Sequence, residues 1–143
     1  MSIKMTAKLY KVGTPLSDGN TIIDSSLMKQ MVGDFNEHYK KDQFNYYHYG
    51  TINGKSFPNV NFEDITHKIN SVYIKDGRIM TDIDILDTPK GNIVQEMMQQ
   101  CYGKNRKNIH ASLDLIECDG KLDIHSISLN INNENYEKWN WQI

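Results

Sequence analysis

The chain has 143 residues, with 16 Lys and Arg against 18 Asp and Glu, for a formal charge of −2. Its mean hydropathy is −0.61. A chain this long buries roughly 68–70% of its unfolded surface and needs no staples. No apolar run reaches the roughly 18 residues of a membrane span. The start, Met1-Ser2-Ile3-Lys4-Met5, lacks the apolar core of a signal peptide. Near-balanced charge argues against a dedicated nucleic-acid binder, which carries a basic excess. Two cysteines, Cys101 and Cys118, make no disulfide framework. The expectation is an intracellular globular domain.

The first patterned segment, Thr6 to Val12, alternates and reads as a strand. A turn-rich loop follows from Gly13 to Asn20. Asp24, Ser25 and Ser26 then offer capping oxygens, and Leu27, Met28, Met31, Val32 and Phe35 recur at helical spacing. This predicts a helix over about 26–39. The aromatic run Phe44 to Gly50 suits a strand, with His48 on one face with Phe44 and Tyr46. A Gly/Pro/Asn-containing loop covers 51–61.

Two β-branched runs, Ile65–Lys75 and Arg78–Leu86, flank Asp76-Gly77. An Asp-Gly pair between such runs signals a tight hairpin, because the turn needs positive φ at both positions. On the first run His67 lies between Ile65 and Ile69 on one face, which favours core packing. On the second, Ile79, Thr81, Ile83 and Ile85 share a face.

The next helix is marked by Thr88 as cap, Pro89 at the first helical position, and an apolar stripe of Ile93, Val94, Met97, Met98 and Cys101. Gly103 is placed to end it, and Lys104 to Lys107 form a short basic loop. Asn108 to Ile116 and Leu122 to Ile131 read as a last hairpin around Asp119-Gly120. The order β, α, β, β, β, α, β, β predicts an α+β fold with a mostly antiparallel curved sheet or open β-barrel and two main helices.

No metal-binding pattern or glycine-rich phosphate loop occurs, so no cofactor is expected. One cluster has nucleophilic chemistry. If Asp119-Gly120 closes a two-residue turn, Ser112 faces Ile127, Asp114 faces His125 and Ile116 faces Asp123. Ser112 and His125 are then diagonal neighbours. That pattern alone reads more readily as a polar, solvated hairpin face.

The stretch Val60-Asn61-Phe62-Glu63-Asp64-Ile65-Thr66-His67-Lys68-Ile69 resembles a block in the prohead (capsid maturation) proteases of tailed bacteriophages. So does Asp76-Gly77-Arg78, and most specifically Leu86-Asp87-Thr88-Pro89-Lys90-Gly91. The resemblance spans about residues 6–131, leaving a tail from 132 to 143 with Trp139 and Trp141. It implies one domain with a fold related to herpesvirus assemblin, an open curved barrel surrounded by helices. It implies a serine endopeptidase that cleaves scaffold or capsid-protein tails inside the immature head. The setting is then the host bacterial cytoplasm and the prohead interior, with retention in the virion left open. Implied partners are scaffold and major capsid proteins, with no direct nucleic acid and no membrane; self-association stays open.

By the same resemblance His48 holds the place of the catalytic histidine and Ser112 that of the nucleophile, within Ala111-Ser112-Leu113. The third member is His125 by analogy with assemblin, or a residue near Ser128 by direct spacing to the phage proteins. The chain departs from the pattern where Tyr49 replaces a proline after the histidine. It departs again where Leu113-Asp114-Leu115 replaces Ser-Arg-Gly after the serine. An acid beside a developing oxyanion opposes its formation. A catalytically inactive, protease-fold structural or scaffold protein is the alternative.

Overall fold

The computed structural model describes residues 3–16, 21–41, 47–51, 62–101 and 109–131. Strand β1 (Ile3–Lys11) leads to helix α1 (Ser25–Lys41) and a short β2 (Tyr49–Thr51). A 3-10 turn at Phe62–Asp64 opens β3 (Ile65–Lys75), followed by β4 (Arg78–Ile85), helix α2 (Pro89–Cys101), β5 (Ile109–Cys118) and β6 (Lys121–Ile131). The order of eight elements matches the sequence expectation. No helix among the described residues is long and apolar enough to cross a membrane.

Four strands form an antiparallel sheet in the order β1-β4-β3-β2, and β5-β6 form a second, two-stranded sheet. β5 lies against β1, and β6 lies against β2 and α1. The hairpin therefore faces both edges of the larger sheet without joining its ladder. Among the described residues the fold is α+β with two helices and antiparallel sheets, and the strands do not close into a barrel.

Both Asp-Gly turns take the expected shape. Asp76 and Gly77 have φ of 53° and 72°, and Asp119 and Gly120 have 53° and 76°. Positive φ at two successive positions matches the right-handed twist of the flanking strands. Helix α1 begins where Asp24 Oδ1 accepts from Leu27 N at 2.8 Å. Its Met28, Met31, Val32 and Phe35 are buried in one core cluster with residues such as Ile69 of β3 and Ile127 of β6, the strands α1 packs on. Burying each such side chain contributes roughly 1.5–3 kcal/mol.

The entry to α2 explains the Leu-Asp-Thr-Pro-x-Gly segment. Thr88 Oγ1 accepts from Gly91 N at 3.0 Å, capping the helix. The same hydroxyl donates to the Ile65 carbonyl, pinning the cap to the start of β3. Gln95 Nε2 donates to Leu86 O and to Asp87 Oδ1, each at 2.9 Å. A Cβ on Gly91 would overlap the Leu86 carbonyl and Thr88 Oγ1, so the backbone approach requires glycine.

Two local expectations change. The strand expected over 44–50 begins only at Tyr49, and Tyr47 and His48 form a turn; residues 44–46 lie outside the described residues. The register of the last hairpin is also different. Ile116 pairs with Asp123 as expected, but Asp114 pairs with Ser126 and Ser112 with Ser128. The ladder shifts between Asp114 and Leu115, leaving His125 as the extra residue of a β-bulge. The cause is visible in β6: Leu122 and Ile124 are one period-2 set, Ile127 and Leu129 the other, and all four pack on the core. A regular strand would expose one of the two sets. The loop Lys104 to Lys107, Gly103 and the tail from Asn132 lie outside the described residues.

Replacing Gly91 by Ala should lower stability by about 2 kcal/mol in urea unfolding, since the methyl must displace a backbone carbonyl. Asn92→Ala, on the exposed side of the same turn, should stay within about 0.5 kcal/mol of wild type. Equal effects of the two changes would contradict the close approach.

Candidate functional site

Ser112 sits mid-way along β5, half-buried, opposite Ser128. The two hydroxyls are 3.2 Å apart. Ser128 Oγ donates to Asp114 Oδ1 at 3.0 Å, and Ser126 Oγ donates to Asp114 Oδ2 at 2.6 Å. Each hydroxyl has one proton, and a carboxylate only accepts. Ser128 therefore spends its proton on Asp114, and Ser112 is the donor between the two serines. The chain runs Ser112 to Ser128 to Asp114, with Ser126 closing on the far carboxylate oxygen. Ser126 and Ser128 are buried while Ser112 and Asp114 are half-buried. The cluster thus has one end under cover and one end reachable.

His48 belongs to the turn before β2. Its Nε2 donates to the Tyr39 carbonyl at 3.0 Å, in the last turn of α1, and its ring lies 3.9 Å from the Tyr39 ring, centre to centre. Its own carbonyl accepts from Ile69 N at 2.7 Å. His125 is half-buried at the bulge. The structure thus brings Ser112 together with Ser128 and Asp114, seats His48 on α1, and sets His125 at the bulge away from the diagonal position beside Ser112.

His67 joins these parts. It is fully buried on β3, as its apolar neighbours implied, yet its ring is not merely packed. Nε2 lies 2.8 Å from the Ile127 carbonyl on β6, and Nδ1 lies 2.7 Å from Thr66 Oγ1. A carbonyl can only accept, so Nε2 carries the proton and Nδ1 accepts from the Thr66 hydroxyl. The ring passes Gly50, its cross-strand neighbour on β2. A Cβ on Gly50 would collide with both His67 Nε2 and the Ile127 carbonyl, so only glycine leaves the passage open. Burial pulls the imidazole from its ordinary 6.5 down to about 4, partly opposed by its bond to Ile127.

A second polar cluster lies on the outward face of the larger sheet. Asp82 accepts from Thr6 Oγ1 at 2.7 Å, from Ser71 Oγ at 3.2 Å and from the Tyr73 hydroxyl at 3.2 Å. Burial first, and the Asp82 charge second, raise the Tyr73 hydroxyl above its ordinary range. Thr6, Ser71 and Asp82 line a groove of about 480 Å³ with Lys4, Asn70 and Asp84. No group of three metal-ligating side chains occurs among the described residues.

Sequence reasoning missed Ser126 and Gly50, and reached the neighbourhood of Ser128 only as an alternative third member, not as the partner of Ser112 and Asp114. The phase break in β6, from Leu122 and Ile124 to Ile127 and Leu129, was the signal for the two serines. Gly50 had none, because nothing local reveals that a ring from another strand must pass it.

No family model, curated protein or solved structure matches the chain.

The sign of the His67 effect is set by its depressed value. Between pH 6.5 and about 4 the unfolded chain binds a proton that the folded chain refuses. The stabilisation is complete above pH 6.5 and is lost as pH falls towards 4. The shift corresponds to about 3 kcal/mol. Urea unfolding at pH 7 and at pH 4 should show that loss in wild type beyond the loss in His67→Gln. Parallel pH dependence in the two proteins would refute it.

Proposed function

We propose that the chain is a serine endopeptidase of the prohead-protease type, with an assemblin-like fold, that trims scaffold or capsid-protein tails during phage head assembly. Its site of action is the prohead interior within the host bacterial cytoplasm. The observation that carries this reading is the packing of β2 against β6, with Gly50 against Ile127. That packing sets the strand that follows His48 beside the strand that pairs with Ser112. β6 lies between the two parts of the chain: it packs on β2 and pairs with β5.

In this reading the Ser112 proton turns from Ser128 and His48 turns from the Tyr39 carbonyl; Ser112 Oγ then attacks the peptide carbonyl, and His48 takes the proton and returns it to the leaving amine. The resemblance assigns the orienting role to His125. Asp114 is less of an obstacle to an oxyanion than its position in sequence implied. Its two oxygens are engaged by Ser126 and Ser128, which draws the charge towards β6.

A specific observation favours a second reading. Ser112 donates to Ser128, and His48 donates to Tyr39, so the two side chains have different partners. A non-catalytic, protease-fold structural protein of the phage particle would show the same contacts.

Cleavage of the cognate scaffold and major capsid proteins, read by intact-mass spectrometry, separates the two. Wild type should cut at defined sites, and Ser112→Ala and His48→Ala should each lose at least about 10³-fold in rate. Identical behaviour of wild type and Ser112→Ala would sink the endopeptidase reading and leave the structural one.

A further inference from the structure

We infer that the outward face of β1, β4 and β3 binds a single-stranded nucleic acid, with phosphates on its rows of cations and a base in the groove beside Asp84. This stands apart from the endopeptidase reading and needs neither Ser112 nor His48. Residues paired across strands share a face. On this face the register sets out rows of three. One end row is Lys11, Arg78 and Lys75, and the other is Lys4, Asp84 and Lys68. Between them stand Thr6, Asp82 and Ser71, then Lys8, Met80 and Tyr73. Asp76 lies in the turn beyond the rows.

The rows hold six cations against two carboxylates, a net charge of +4 in a chain whose total is −2. Near-balance over the whole chain conceals this segregation, and a basic stripe on one face is the electrostatic footprint of nucleic-acid binding. Neighbouring strands lie about 4.8 Å apart. Like charges directly opposite destabilise a sheet, yet Lys11, Arg78 and Lys75 stand side by side. None of the six cations forms an ion pair among the described residues. An anion lying over the row relieves its repulsion.

The centre of the face selects the anion. Asp82 accepts from Thr6, Ser71 and Tyr73. Asp84 lines the groove, and its Oδ1 is buried with no hydrogen-bond partner. Lys4 and Lys68 flank it in register, and neither pairs with it. A buried acceptor of this kind needs a donor. A nucleic acid brings both parts: a negative backbone, and neutral bases whose edges carry N–H donors. Tyr73, half-buried on the same face, offers a ring on which a base can stack. An acidic peptide would set its carboxylates against Asp82 and Asp84. A duplex keeps its Watson–Crick donors engaged in pairing. The exposed large apolar residues among those described are Ile22, Ile93 and Ile116, none of them in these rows, so the face has nothing to insert into a membrane.

The test is fluorescence anisotropy of the full chain with a fluorescein-labelled single-stranded DNA of about 12 nucleotides, between about 50 and 200 mM salt. Wild type should bind, with log K falling against log salt at a slope of about −2 to −3, the value for three or four phosphate contacts. Lys75→Gln with Arg78→Gln should weaken binding by about tenfold or more and flatten the slope by about 1.4. Lys40→Gln with Lys41→Gln, on α1, should stay within about twofold of wild type. Asp84→Ala removes a negative charge, so a purely electrostatic surface would bind more tightly; loss of the base contact should instead weaken binding by about threefold or more. Circular dichroism melting on the same proteins establishes that each is folded. Equal weakening in the two double variants would overturn the assignment of the face, and tighter binding by Asp84→Ala would overturn the base contact. Poly-glutamate or the matching duplex bound as tightly as the single strand would overturn the choice of ligand. A wild type that binds no single strand at about 50 mM salt would overturn the inference outright and leave the endopeptidase reading untouched.

Discussion

The imidazole of His67 is the link on which the arrangement of the two sheets depends. Among the described residues the four-stranded sheet and the β5-β6 hairpin share no ladder, yet they bury one common core. Apolar packing is non-directional and would allow the hairpin to slide along β2. A hydrogen bond from a buried ring to the Ile127 carbonyl has one geometry, so it fixes one position along β6. Breaking it would leave a carbonyl and an N–H unpaired in the interior, each a loss of roughly 1–3 kcal/mol. The bond stands only while the ring is neutral with its proton on Nε2. Burial maintains the first condition and Thr66 the second.

Gly50 is the other half of that constraint. The ring crosses β2 where the strand has no side chain, so β2 is gripped between β3 and β6. This is why a strand as short as Tyr49–Thr51 keeps its place. Its consequences reach the polar cluster. Ile127 is next to Ser128, and Ser128 faces Ser112, so the site is three residues' reach from the pinning bond. The Lys121 to Asp34 ion pair, 2.8 Å long, ties the other end of the hairpin to α1. It is exposed and weaker, but it acts on the same element.

Much of the fold could be read from local chemistry. Asp76-Gly77 and Asp119-Gly120 announced their turns because only a few residues tolerate positive φ there. Thr88 and Pro89 announced the start of α2 because a cap and a fixed φ each demand a residue type. The register of β3 and β4 from the turn back to Ser71 and Asp82 follows from the turn that joins them, and it shifts by one residue between Ser71 and Ile69. What could not be read depends on distant partners. The polar hairpin face gave Ser112 and Asp114 correctly as same-face residues, but the bulge exchanged Ile127 for Ser128 opposite Ser112 and His125 for Ser126 opposite Asp114. A bulge is selected by burial of Ile124 and Ile127 together, a tertiary demand that overrides simple turn counting. Likewise His67 was legible as a buried residue and not as a donor to a strand sixty positions away. Periodicity alone leaves Ser112 and His48 as ordinary polar residues.

The most direct test is the protonation of His67, followed by ¹⁵N–¹H correlation of the imidazole nitrogens across pH 5 to 8. The account predicts a neutral ring with its proton on Nε2 throughout that range, unchanged where exposed histidines titrate. A His67 ring that titrates near 6.5, or carries its neutral proton on Nδ1, would contradict it, because neither can hold the Ile127 carbonyl as described.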